Sequence, residues 1–135
     1  MPVQTYLDFD GRTEEAHAFY REVLGAEVTE VIRFQDSPDG GMPVPPGGAQ
    51  KILHSTFRIN GTELMATDGA CTGHPQFKGV MLTLTTPTDA EALRLFNALA
   101  EGGEVRMPMG KAFFASSFGE VADRFGVSWM VLTET

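Results

Sequence analysis

Apolar residues recur along this chain first with a period of two and then with a period of three to four, and the switches between the periods mark out its elements. Val3, Thr5, Leu7 and Phe9 alternate with Gln4, Tyr6 and Asp8, which predicts a half-buried strand over residues 3–9. After Asp10-Gly11 the period lengthens. Ala16, Phe19, Tyr20, Val23 and Leu24 fall on one helical face, and Gly25 stands where a left-handed C-terminal residue costs least. Val28, Val31, Ile32 and Phe34 mark a second strand over 27–34, with imperfect alternation. Residues 36–50 hold four Pro and four Gly, too many for a helix or an inner strand, and read as an exposed loop placed to cover or border a cavity. Strands at 52–59 and 63–66 meet through Asn60-Gly61, the dipeptide most tolerant of the positive φ that a tight hairpin needs. A second breaker-rich stretch, 69–79, contains Gly73, His74 and Pro75 and marks the midpoint.

The same order then repeats. A strand at 80–85 leads to Thr88 and Glu91, a capping box, and to a helical stripe of Ala92, Leu95, Phe96 and Leu99 that ends at Gly102-Gly103. Strands at 104–109, 115–122 and 128–133 follow, the last after Phe125-Gly126. Residue echoes support a duplication. Glu15-Ala16 with Phe19-Tyr20 matches Glu91-Ala92 with Leu95-Phe96, and Gly25-Ala26-Glu27-Val28 matches Gly102-Gly103-Glu104-Val105. The prediction is a single α+β domain over 1–135 made of duplicated βαβββ modules, the first at about 1–69 and the second at about 78–135. A ferredoxin-like sandwich mixes the same elements but does not require a helix, three strands and a hairpin in both halves.

Composition narrows the function classes. With 135 residues, 42% of them hydrophobic, the chain has enough apolar surface for a core, which excludes intrinsic disorder. The net charge of −8 and the lack of a basic stripe argue against nucleic acid, because phosphate binding depends on Lys and Arg. The single Cys71 cannot form an intrachain disulfide. No apolar stretch approaches 18 residues and no basic-then-apolar segment opens the sequence, so the expectation is a cytoplasmic protein with no membrane partner.

Several short motifs occur in register with the duplicated unit. They are Tyr6-Leu7-Asp8-Phe9-Asp10-Gly11 running into Glu14-Glu15-Ala16 and Phe19-Tyr20, His54 before the hairpin, Leu64-Met65-Ala66-Thr67-Asp68, Leu95-Phe96-Asn97-Ala98-Leu99, and Asp123-Arg124-Phe125-Gly126-Val127 followed by Trp129-Met130. Together, and over the whole chain, they resemble the PhnB-like subgroup of the vicinal oxygen chelate superfamily, which includes glyoxalase I, extradiol dioxygenases, and fosfomycin and bleomycin resistance proteins. The resemblance implies curved mixed sheets around a shared cleft, in a homodimer that can exchange modules between chains. A cleft between sheets is also where a small ligand is expected on physical grounds. Some members of the subgroup carry a 3-demethylubiquinone methyltransferase label. No glycine-rich nucleotide loop follows the first predicted strand here, so that activity is not expected.

Metal-dependent relatives take one His or Glu-type ligand from each of the first, fourth, fifth and eighth strands to hold a divalent cation. Aligned from Phe19-Tyr20, those slots fall on Gln4, on Leu64 or Met65, on Val80 or Met81, and on Met130. Amide and thioether groups hold a hard cation poorly, so no metal cofactor is expected. The alternative is a metal-dependent lyase, isomerase or dioxygenase with a displaced site built from His54, Glu63 or Glu134, and a third reading is a dimeric scaffold with a filled cleft.

The expected ligand-binding set is Gln4, Tyr6, His54, Phe114, Trp129 and Met130. Gln4 and Tyr6 face the cleft if Val3, Leu7 and Phe9 pack on the first helix, and Tyr6 either binds a carbonyl or hydroxyl or fills the rim. Phe114 and Trp129 are the aromatic pair expected to face the cleft, although related sequences often carry Trp where Phe114 stands. If His54 faces inward it is the best general base or hydrogen-bond donor in the chain, and otherwise a structural histidine. His17 is expected in solvent on the first helix and His74 at the surface in a Gly-His-Pro turn. Cys71 has no basic neighbour in sequence and reads as an idle thiol, and Ser116 and Ser117 lack the strand-turn-helix elbow of a nucleophile. These readings combine into a metal-free binding protein for a small, partly apolar organic molecule, with His54 as the candidate for any catalysis.

Overall fold

In the computed structural model, which describes residues 1–37 and 43–134, each half of the chain combines one helix with a four-stranded mixed sheet. The predicted loop at 36–50 lies in part, at 38–42, outside the described residues. The first unit, Met1–Pro75, runs β1 (Tyr6–Asp8), α1 (Thr13–Leu24), β2 (Glu27–Arg33), a 3-10 turn (Phe34–Asp36), β3 (Ile52–Ile59) and β4 (Thr62–Thr67). Its strands lie in the order β1-β4-β3-β2, with β1 parallel to β4 and the rest antiparallel. The second unit, Gln76–Thr135, runs β5 (Met81–Thr86), α2 (Asp89–Ala100), β6 (Glu104–Ala112), β7 (Ala115–Ala122) and β8 (Ser128–Glu134). Its order, β5-β8-β7-β6 with β5 parallel to β8, repeats the first. The βαβββ succession expected of both halves is present in both. Among the described residues no helix is long and apolar enough to cross a membrane.

Period selects the core. Ala16, Phe19 and Tyr20 of α1 are buried, and Tyr20 lies 6.3 Å from the Phe57 ring of β3 with 15° between their planes. Burial of an aromatic or aliphatic side chain of this size contributes about 1.5–3 kcal/mol. On α2 the buried stripe is Ala92, Leu95, Phe96 and Leu99, as the spacing predicts. It comes so close to β7 that a Cβ on Gly119 would stand 2.9 Å from the Phe96 ring.

Helix ends are held by different devices. Gly25 closes α1 in the left-handed conformation, φ 68°, as expected. Thr88 caps α2 by accepting the Glu91 amide at 3.2 Å, but Glu91 pairs with Arg94 instead of completing the capping box. At the start of α1, Arg12 supplies no side-chain cap. The buried Asp68 carboxylate, just past β4, does so instead: it accepts the amides of Gly11 at 3.2 Å and Thr13 at 2.8 Å, and also that of Ile52 at 2.7 Å. One carboxylate thereby fastens the start of α1 and the start of β3.

Two expectations need correction. Val3 does not pack on α1: it is 96% exposed, because pairing of the first strand with β4 begins only at Tyr6 opposite Met65. His17 is not in solvent. It is 4% exposed, shares the buried stripe with Thr13, Ala16 and Tyr20, and its Nε2 lies 3.1 Å from Ser55 Oγ, whose hydroxyl also donates to the Ala66 carbonyl. Burial pushes its pKa below 6.5, reinforced by Arg21 and opposed by Asp68 and Glu14.

Candidate functional site

Strand alternation divides each sheet into a buried face and an open one. In the first sheet Leu7, Ser55, Phe57, Leu64 and Ala66 are buried. The opposite face carries a row of Tyr6, Met65, Thr56 and Glu30, matched by register, with the pairs Asp8–Thr67 and His54–Ile32 beside it. Here three chain-distant groups meet. Tyr6 Oη lies 2.7 Å from His54 Nδ1, and His54 Nε2 lies 3.9 Å from Glu30 Oε1. With its proton on Nε2, toward Glu30, the imidazole accepts the Tyr6 hydroxyl through Nδ1. Burial raises the Tyr6 pKa, the Asp8 charge adds to this and a hydrogen bond from Thr67 opposes it, so the hydroxyl stays protonated near neutrality. Gln4 sits at the same edge and donates its amide to Glu63 Oε1 at 3.1 Å.

The structure therefore brings Tyr6 and His54 into contact, with Gln4 beside Glu63 before the first strand. Glu30 was not in the predicted set. A register shift between Val28 and Glu30 reverses the side-chain parity of β2 at that point, and the only trace in the sequence is the imperfect alternation of 27–34.

On the second sheet the equivalent row is Thr83, Met130, Glu120 and Met107, with Phe118 next to it and opposite Leu132. Phe114 stands in the two-residue turn between β6 and β7 and packs edge-on against Phe118, with centroids 5.2 Å apart. Met130 and Phe114 thus belong to the open side of this sheet. Trp129 does not. Neighbours on a strand point to opposite faces, so Trp129 follows the buried Val131, and its Nε1 donates to Asp123 Oδ2 at 2.9 Å. The same aspartate accepts the Phe125 and Val127 amides through Oδ1, which shapes the turn before β8. The indole is a core and turn element on the face opposite Met130, and not on the open face expected for it.

The donor set does not fit the superfamily's divalent cation. Leu64 and Val80 carry no donor, Met65, Met81 and Met130 offer thioethers, and Gln4, whose NH2 group donates to Glu63, offers a neutral amide oxygen. Among the described residues no three His, Cys, Asp or Glu side chains converge as metal ligands. A nucleotide-borne methyl donor fits no better at the turn from β1 to α1. The amides of Gly11 and Thr13 that open α1 are taken by Asp68, and a Cβ on Gly11 would already lie 3.4 Å from the Cys71 backbone. The Cys71 thiol is pushed up, chiefly by burial and then by the Asp68 charge, with Lys51 opposing. His74 is exposed in its loop.

Comparison with known proteins agrees with this architecture. The PA1353 protein of Pseudomonas aeruginosa has a crystal structure that superposes with a TM-score of 0.85 at 41% identity, covering 99% of this chain and 98% of that one. The PhnB protein of Bacillus cereus superposes with a TM-score of 0.80 at 31% identity over 98% and 99% of the two chains. Protein YjdN of Escherichia coli K12 is 35% identical over 97% of this chain and 94% of its own length. At the level of fold alone, a glyoxalase-related enzyme from Fulvimarina pelagi superposes with a TM-score of 0.63 at 18% identity, over 99% of this chain and 88% of that one. Residues 2–132 match the family described as 3-demethylubiquinone-9 3-methyltransferase, and the chain belongs to this PhnB-like family, whose fold it shares with glyoxalase-related and glyoxalase/bleomycin resistance proteins.

Proposed function

We propose that the protein binds a small, partly apolar organic molecule on the open face of its first sheet, using Tyr6 and His54 as polar contacts and no resident divalent metal. The observation that carries this reading is the 2.7 Å contact between Tyr6 Oη and His54 Nδ1, set on an open sheet face beside Met65 and Ile32. A hydroxyl and an imidazole locked together, with thioether and aliphatic neighbours, orient a polar group while the neighbours cover an apolar body. The methyl transfer in the family's description is not carried over, because the amides that would receive a nucleotide are engaged by Asp68. A thermal-shift screen of organic metabolites and antibiotics tests the binding. A ligand at about 100 times its Kd adds about 2.7 kcal/mol of stability. Loss of the shift in both Tyr6→Phe and His54→Phe supports the site, and a ligand whose shift survives both substitutions overturns it. Stoichiometric Zn, Ni, Mn or Fe in protein purified without chelator would overturn the metal-free part.

The same proposal includes a cytoplasmic homodimer. Cys71 is a free thiol, which suits a reducing compartment. Val105 and Met107 on the edge strand β6, with Phe113 and Phe114 in the following turn, are 43–98% exposed, and apolar side chains exposed along a strand edge are of the kind a partner covers. Light scattering is expected to give a dimer mass for the wild type and a monomer mass for Met107→Glu with Phe113→Ser; a wild-type monomer would end this part.

A further inference from the structure

The two sheets match in their pairing, apart from one extra residue in β6 between Met107 and Gly110. Glu30 pairs with Thr56 as Met107 pairs with Glu120, and Ile32 with His54 as Gly110 with Phe118, so Arg33 at the end of β2 answers to Lys111 near the end of β6. The Glu15-Ala16 and Glu91-Ala92 echo likewise aligns Glu14 of α1 with Ala90 of α2. In the first unit these positions hold an ion pair: the Arg33 guanidinium donates to Glu14 at 3.1 and 3.3 Å. In the second unit the cation is kept and its carboxylate is missing. The Lys111 ammonium has no ion-pair or hydrogen-bond partner among the described residues, and a cavity of about 370 Å³ opens beside it, with Ala90, Leu93 and Met109 in its wall. That volume lies within the span of small-molecule pockets, about 300–1,000 Å³.

We propose that this cavity binds a small organic monocarboxylate, whose anionic end faces Lys111 where Glu14 stands in the first unit and whose apolar stem lies on Leu93 and Met109. The remaining charged group in the wall, Asp89, leaves Lys111 to the ligand: it accepts the Ser116 hydroxyl at 2.6 Å, and Ser116 and Ser117 keep it ionised. Its negative charge also selects against a second carboxylate on the ligand. The site is separate from the open face of the first sheet and does not depend on the reading given for that face.

Titration of the isotopically labelled full chain with hexanoate, followed by amide NMR, tests the proposal. Saturable shifts are expected at Ala90, Gly110 and Ser117, with hexylamine and adipate at least about tenfold weaker, equivalent to about 1.4 kcal/mol. Ala90→Glu returns the missing carboxylate to an exposed helix position and fills the cavity, so it is expected to weaken hexanoate at least about tenfold while the rest of the spectrum stays in place. Lys111→Met is expected to do the same. No saturable shift with hexanoate, shifts confined to Tyr6 and His54, or undiminished binding by Ala90→Glu would overturn the proposal.

Discussion

The two sheets share strand order and register, yet their open faces have different chemistry. Tyr6, Met65, Thr56 and Glu30 in the first answer to Thr83, Met130, Glu120 and Met107 in the second, and His54 answers to Phe118. Methionine keeps its place in both. The hydroxyl, the imidazole and the carboxylate that meet in the first sheet are replaced by a shorter hydroxyl, a ring and a thioether, while a carboxylate moves to the middle of the row. Residues on the other face, such as Phe57 and Ala66 in one unit and Val121 and Val131 in the other, are buried in both. The comparison teaches that the buried faces specify the fold, which leaves the open faces free to diverge at little cost in stability.

Several measurements can break or sharpen that contrast. The largest effect is expected for Asp68→Ala. It strands three amides, those of Thr13 and Ile52 buried and that of Gly11 part-buried, in segments up to 57 residues away, and is expected to cost about 3 kcal/mol or more in urea unfolding. Asp123→Ala loses three bonds within six residues, where the turn can relax, and is expected to cost about 1.5–3 kcal/mol. An equal loss would show that both units hang on one such carboxylate. Next, His54→Phe makes the first face resemble the second; ligand affinity is expected to fall about tenfold, near 1.4 kcal/mol, with unfolding free energy almost unchanged. Thr88→Ala removes the side-chain cap of α2 and is expected to cost about 1 kcal/mol, whereas Arg12→Ala at the start of α1 should cost no more than about 0.5 kcal/mol. The smallest effect is confined to acid. All three histidines lie in the first unit, and His17 has its pKa lowered by burial. The native state then binds fewer protons than the unfolded chain, so stability is complete above pH 6.5 and declines as pH falls through the native pKa. His17→Gln is expected to flatten the unfolding free energy between pH 7 and 5, about the range in which imidazole titrates; an unchanged slope would place the dependence elsewhere.

Much of this fold was legible because both periods are strong. The stripes of α1 and α2, the hairpin at Asn60-Gly61 and the strand at 115–122 follow from spacing and turn chemistry alone. The site was legible only in part. Tyr6 and His54 stand 48 residues apart in sequence, and their contact depends on β4 lying between β1 and β3, an order that composition does not encode. Glu30 was hidden by a bulge that shifts parity within β2. Naming Trp129 with Met130 overlooked alternation, since consecutive strand residues cannot share a face. His17 was misread from polarity, although 13, 16, 17 and 20 are themselves helically spaced.

The Asp68 carboxylate has a dynamic consequence. Gly11, Thr13 and Ile52 give their amide protons to a single acceptor, so none of the three bonds is independent of the carboxylate's position. Their exchange with deuterated solvent is therefore expected to proceed through one shared opening, at one common free energy, instead of by separate fraying of a helix end and a strand end.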